Sequence, residues 1–115
     1  MPDFSDRLLP EPMRTINSAS FTGSYMPFLN SLAVASPLTY PSRVLLFINN
    51  SGVNVTISWN GVDDHLLLLP GAGFALDETA NAVSGAYLVT SAGTQFYAKG
   101  SASTGLVYLT TFYAS

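Results

Sequence analysis

The chain has 115 residues, 48% of them apolar and only 10% charged, with a net charge of −3 and no cysteine. This is the length of one ordinary domain with a real core, and its charged share lies far below the roughly 25% usual in soluble domains. The four basic residues, Arg7, Arg14, Arg43 and Lys99, are scattered, which excludes a basic stripe for phosphates, while the lack of cysteine excludes disulfides, thiol nucleophiles and thiolate metal sites.

Residues 1–12 carry Pro2, Pro10 and Pro12 together with Asp3, Asp6, Arg7 and Glu11. Proline cannot donate to a sheet ladder, so this segment reads as an extended N-terminal arm, with residues 13–115 forming a single domain. The Leu8-Leu9 pair suits docking, on a neighbour or on the arm's own domain. Met1 is followed by acidic residues and proline rather than by a basic segment and an apolar core, so no secretory signal is expected. The apolar runs stop far short of the roughly 18 residues of a membrane span.

Residues 13–18 predict a first strand, with Met13, Thr15 and Asn17 opposed to Arg14, Ile16 and Ser18. From Phe21 to Pro41 the mixture of Gly23, Pro27, Pro37 and Pro41 with Leu29, Leu32, Val34 and Leu38 predicts loops with one strand over residues 29–35. Residues 43–49 are apolar on both faces, Val44, Leu46 and Ile48 on one and Leu45 and Phe47 on the other, as in a strand covered by core on one side and by a neighbour on the other. Val53, Val55, Ile57 and Trp59 alternate with Asn54, Thr56, Ser58 and Asn60, the period of a half-buried strand with one wet face. Turn signals flank it, Asn49-Asn50-Ser51-Gly52 before and Asn60-Gly61 after, and Asn-Gly is a strong hairpin signal.

Further strands are predicted over residues 64–69, closed by Pro70-Gly71, over 73–76 with Phe74 and Leu76 on one face, and over 87–89. The last two are residues 94–99, with Phe96 and Ala98 opposite Gln95 and Tyr97, and 106–113. A helical turn fits residues 77–81 and a loop continues to about residue 86. Seven or eight short strands, many at spacings of about 8 to 12 residues, predict an all-β antiparallel β-sandwich, with a jelly roll among its variants.

Three constellations invite a chemical reading. His65 is the single histidine and stands beside Asp63 and Asp64, but neighbours on a strand point to opposite faces, and no serine sits in a nucleophile setting. These residues, with Asn60 and Gly61, are expected to build a turn instead. Asp63, Asp64, Asp77 and Glu78 match no calcium-loop spacing and no glycosidase pair, so no metal or cofactor is expected. Seven Phe, six Tyr and one Trp could offer a sugar-stacking platform, but tyrosine alternating with Phe in a last strand is more commonly core or interface. The two Asn-x-Ser/Thr matches, Asn49-Asn50-Ser51 and Asn54-Val55-Thr56, need a secretory route and are read as chance.

Pro41-Ser42-Arg43, Phe47-Ile48-Asn49-Asn50, Ile57-Ser58-Trp59-Asn60-Gly61, Asp63-Asp64-His65, Leu69-Pro70-Gly71-Ala72 and Leu76-Asp77 together resemble a group of small virion structural proteins of tailed bacteriophages. The pattern covers about a third of the chain, and the ending Val107-Tyr108 to Phe112-Tyr113 fits it. Where the group has Asp-Gly this chain has Asn60-Gly61, which preserves the turn. The resemblance implies a non-enzymatic β-sandwich in the phage particle, made in the host cytoplasm. Its role there would be a capsid cement or decoration protein bound across major capsid subunits, or else a neck or tail adaptor ring. A receptor- or glycan-binding module of a fibre is the third reading. Composition independently favours assembly, since so little charge leaves a surface of Ser, Thr, Asn and apolar groups suited to other subunits, including further copies of the chain. Leu8, Leu9, Leu45, Phe47, Tyr108 and Tyr113 are the expected partner-binding residues.

Overall fold

The computed structural model describes residues 8–77 and 90–114. The helical turn expected over residues 77–81, the loop to residue 86, the strand over 87–89 and the first seven residues of the arm lie wholly or mostly outside the described part. Among the described residues the elements are β1 (Leu8–Pro10), β2 (Arg14–Asn17), a single 3₁₀ turn (Ser18–Ser20), β3 (Met26–Pro27) and β4 (Val44–Ser51). They continue with β5 (Val55–Ser58), β6 (Leu66–Leu68), β7 (Gly73–Asp77), β8 (Tyr97–Lys99) and β9 (Gly105–Ala114).

The strands form two antiparallel sheets. The five-stranded sheet runs β1-β9-β4-β7, with β2 also on β9, and the four-stranded sheet runs β3-β8-β5-β6. The pairings nest, β2 with β9, β3 with β8, β4 with β7 and β5 with β6, so the chain is one long hairpin folded over itself. Lateral pairs β4 with β9 and β5 with β8 close it into sheets. The all-β sandwich expected from the strand pattern is therefore what the chain forms.

The core lies between the sheets. Ile16, Leu45, Phe47, Val107 and Leu109 from the five-stranded sheet meet Val55, Ile57, Leu68 and Ala98 from the other, with Phe28 and Phe96 added. Phe47 is the hub of an aromatic cluster, its ring centroid 5.6 Å from Phe96, 5.8 Å from Trp59 and 6.2 Å from Phe28. Tilted and edge-on contacts of this kind add to the burial of the rings.

Several expectations need correction. Residues 8–12 are not an arm lying off the sheet. Leu8, Leu9 and Pro10 pair with Ala114, Tyr113 and Phe112, and β1 is an edge strand, the place where a proline is tolerated. Glu11 is buried and forms a 2.8 Å ion pair with buried Arg14. Arg14 also donates to the Ser36 and Pro37 carbonyls, and Glu11 accepts from the backbone N–H groups of Thr39 and Tyr40. This network fastens the start of the chain and residues 36–40 to β9, where Arg14 meets Thr111.

The strand expected over residues 29–35 is instead a closed loop, in which Leu29 bridges Thr15 on one side and Ala35 on the other. Asn49-Asn50-Ser51-Gly52 is not a hairpin turn. Asn49 to Ser51 continue β4, and the chain then crosses to the other sheet. Asn49 is fully buried at that crossing, and its side-chain amide donates to the carbonyls of Val53, Leu68 and Leu69. Gly105 opens β9 with φ +100, and a Cβ there would lie 2.0 Å from the Asn50 oxygen. No other residue type fits that approach.

Candidate interaction surface

Side-chain alternation gives each sheet an inner and an outer face. In β9, Val107, Leu109 and Thr111 are buried, and in β4 Leu45, Phe47 and Asn49 are. Their neighbours Leu106, Tyr108, Thr110 and Phe112, and Val44, Leu46 and Ile48, therefore face outward.

Register fixes how these outward residues abut. Val44 lies beside Phe112, Leu46 between Thr110 and Ala75, Ile48 between Tyr108 and Gly73, and Thr15 on the far side of Tyr108. Ile48 stands in the middle of this sheet and is still 39% exposed, so no described residue covers it. Among the described residues on these outward registers the one charged side chain is Asp77, at the corner opposite Val44. The face is four strands wide, with Val44, Leu46, Ile48, Leu106, Tyr108 and Phe112 among the uncharged polar Thr15, Asn17, Asn50 and Thr110 and a single charge at its corner, the kind of surface that low charge content implies.

The outer face of the four-stranded sheet is different in kind. Thr56 lies between Lys99 and Leu67. Lys99 forms a 3.1 Å ion pair with Asp64 and stands 4.6 Å from the centre of the Tyr25 ring. The Tyr25 hydroxyl donates to Asp64. Burial, then the hydrogen bond and charge of Asp64, push the Tyr25 hydroxyl up to about 12. The Asp64 carboxyl is held below its usual range by the Tyr25 and Lys99 hydrogen bonds. A shallow cavity of about 330 Å³ lies there, lined by Thr56, Asp64, His65, Leu66 and Leu67.

The turn residues do what their side chains allow, but not as a tight hairpin. β5 and β6 pair at Ile57 and Leu66, so residues 58–65 form the connection. Asn60 Oδ1 accepts from the N–H groups of Val62 and Asp63, and Asn60 Nδ2 donates to Asp63. Ser58 Oγ accepts from the N–H groups of Asn60 and Gly61. Ser58 is fully buried, so the wet face of β5 is covered at this end. Gly61 takes φ +78, with the Tyr97 ring 3.1 Å from where a Cβ would sit. His65 Nδ1 accepts from the Trp59 N–H at 3.0 Å and its ring meets Trp59 edge-on. Asp64 turns instead to Tyr25 and Lys99, so the sequence neighbours Asp64 and His65 serve separate contacts and make no acid–base pair.

The six expected partner-binding residues separate into three groups. Leu8, 46% exposed, and Tyr108 belong to the outer face of the five-stranded sheet. Leu9 and Tyr113 pair with each other on the opposite register, where the Tyr113 ring stacks on Tyr40 at 4.2 Å. Leu45 and Phe47 are a correction. Both are fully buried at the centre of the core and cannot meet a partner. Their outward neighbours Val44, Leu46 and Ile48, with Leu106 and Phe112, are the residues the face presents.

Comparison with known proteins finds no matching family model, no matching curated protein and no matching solved structure.

Proposed function

We propose that this chain is a non-enzymatic structural protein of a tailed-bacteriophage particle, a capsid cement or decoration protein whose five-stranded sheet packs its outer face on capsid subunits. The observation that carries the reading is that face, uncharged except for Asp77 among its described residues and centred on the exposed Ile48. Burying it would gain roughly 25 cal/mol per Å² of apolar surface removed from water, without stranding a central charge. The fold reading goes with it: a jelly roll, supported by the four nested antiparallel pairs, an architecture that viral capsid domains share with lectins. The motif resemblance to small phage virion proteins points the same way. In the particle the role is mechanical, a rigid sheet spanning a junction and adding buried area to it.

The test is quantitative mass spectrometry of gradient-purified particles. Copy numbers on the order of hundreds fit a cement protein, and about a dozen or fewer fit a neck or tail ring. Absence from the particle overturns the virion reading altogether.

A further inference from the structure

The connection over residues 58–65 contains the chain's single Asn-Gly step, Asn60-Gly61. Asparagine followed by glycine is the pair most prone to spontaneous loss of the side-chain amide, because glycine has no Cβ to keep its backbone nitrogen away from the asparagine Cγ. The fold requires both residues. Gly61 takes φ +78, and a Cβ there would meet the Tyr97 ring at 3.1 Å. Asn60 uses both ends of its amide. Oδ1 accepts from the Ser58 hydroxyl at 3.0 Å and from the N–H groups of Val62 and Asp63 at 2.8 and 2.9 Å, and Nδ2 donates to Asp63 at 2.9 Å. Chemical lability is therefore built into this turn.

The same contacts hold the reactive groups in place. Attack requires the Gly61 nitrogen to give up its proton and the Asn60 side chain to swing onto that nitrogen. The Gly61 N–H instead donates to Ser58 Oγ at 2.9 Å, and the Asn60 N–H donates to the same oxygen at 3.2 Å. Ser58 is fully buried, so water does not replace it while the turn is closed. Three donors on Oδ1 polarise the amide carbon, so the fixed geometry, and not a weak electrophile, is what keeps the amide intact. Asn60 itself is exposed, and water reaches it as soon as these bonds open.

We propose that Asn60 is a latent modification site gated by opening of the turn: closed, the turn preserves the amide, and open, it lets the chain convert itself in one direction. The Gly61 nitrogen forms a bond to the Asn60 Cγ, the Cγ–Nδ2 bond breaks, and ammonia leaves with the proton that Gly61 gives up through water. Water then opens the cyclic imide at either carbonyl, giving aspartate or isoaspartate without any oxidant or cofactor. Aspartate sets a carboxylate where Nδ2 met Asp63, so a hydrogen bond becomes a like-charge contact. Isoaspartate adds a backbone carbon between the two N–H groups that share Ser58 Oγ, and both can no longer reach it. Either product loosens the connection that carries Asp64 to Lys99 and His65 to Trp59. The reaction involves no residue of the outer face of the five-stranded sheet and is independent of the function proposed above.

The full chain is incubated in mildly alkaline buffer with and without urea, and tandem mass spectrometry of its digest reads the fraction of Asn60 converted. The folded chain should convert at least about tenfold more slowly than the chain in urea. Asp63→Ala, a change at an exposed position that frees Nδ2, should speed conversion of the folded chain about threefold or more. Ser58→Ala, which frees the Gly61 N–H, should do the same, and where circular dichroism shows that variant unfolded, Asp63→Ala alone decides. Converted protein, separated by its added negative charge on ion exchange, should melt below the unconverted protein. Equal rates in buffer and in urea, or a folded Asp63→Ala chain that converts no faster than wild type, would overturn the gating. Converted protein with an unchanged melting temperature would overturn the loosening.

Discussion

The outer faces of the two sheets are built from the same pleat and carry opposite chemistry. On the four-stranded sheet every described charge has a partner, Lys99 with Asp64 and Asp64 with Tyr25, and the exposed leucines there, Leu67 and Leu69, are confined to the β6 end of the sheet. On the five-stranded sheet Leu46, Ile48, Tyr108 and Phe112 lie side by side with Asp77 the sole described charge. Both faces rest on the same core, so the need to fold cannot explain the difference. An apolar outer layer adds only cross-strand pair contacts to an isolated sandwich, and its larger gain comes when something covers it.

Phe47→Ala, directly beneath the apolar face, removes the hub of the aromatic cluster and should cost about 3–5 kcal/mol, read by urea denaturation; a loss under about 1 kcal/mol would mean that Phe47 faces a partner after all. Glu11→Ala strands Arg14 in a buried site and should cost about 3 kcal/mol in the same assay.

Glu11 also predicts a pH dependence. Burial pushes its carboxyl up, but hydrogen bonds from Arg14, Thr39 and Tyr40 and the Arg14 charge outweigh this and hold it below its usual range. A carboxyl with a lowered folded pKa contributes stability above the unfolded value of about 4.3, lost as pH falls through the folded one. The melting temperature should drop across that acid window, and Glu11→Gln should flatten the drop. An unchanged slope would remove Glu11 as its source.

Ile48→Lys should cost about 1 kcal/mol or less in the free protein while abolishing attachment to the particle, measured by co-sedimentation. Asp64→Asn, on the other face, should leave both the melting temperature and attachment unchanged. Its one effect should be spectroscopic, the Tyr25 hydroxyl titrating lower than about 12 by ultraviolet difference absorbance. Loss of attachment in Asp64→Asn would move the interface to the four-stranded sheet.

Much of the fold could be read from residue order, because residues 53–60 around β5 alternate cleanly, as a pleated strand imposes, and β4 and β9 are apolar runs bounded by turn residues. Which side of β4 faces the core could not. Val44, Leu46 and Ile48 are as apolar as Leu45 and Phe47, and period 2 divides the faces without saying which is inside. Residue order thus shows the outer face as a set of residues, while the structure puts Leu45 and Phe47 on the inner register. Residues 8–10 join the sheet despite Pro10 because proline forbids only one ladder hydrogen bond, and an edge strand such as β1 can spare it. The buried Glu11–Arg14 pair and the loop of residues 30–34 depend on partners far along the chain or on a backbone angle such as the φ of +59 at Ala33, and local composition carries neither signal.

If the outer face of the five-stranded sheet attaches to the particle, it is covered there while the face of the four-stranded sheet around Thr56 stays wet. The chain has no cysteine, so single cysteines placed by Ile48→Cys and Thr56→Cys can be labelled with a maleimide in free protein and in purified particles. Ile48→Cys should react readily in solution and be protected in the particle, while Thr56→Cys should react equally in both. Ile48→Cys labelled as fast in the particle as in solution would contradict it.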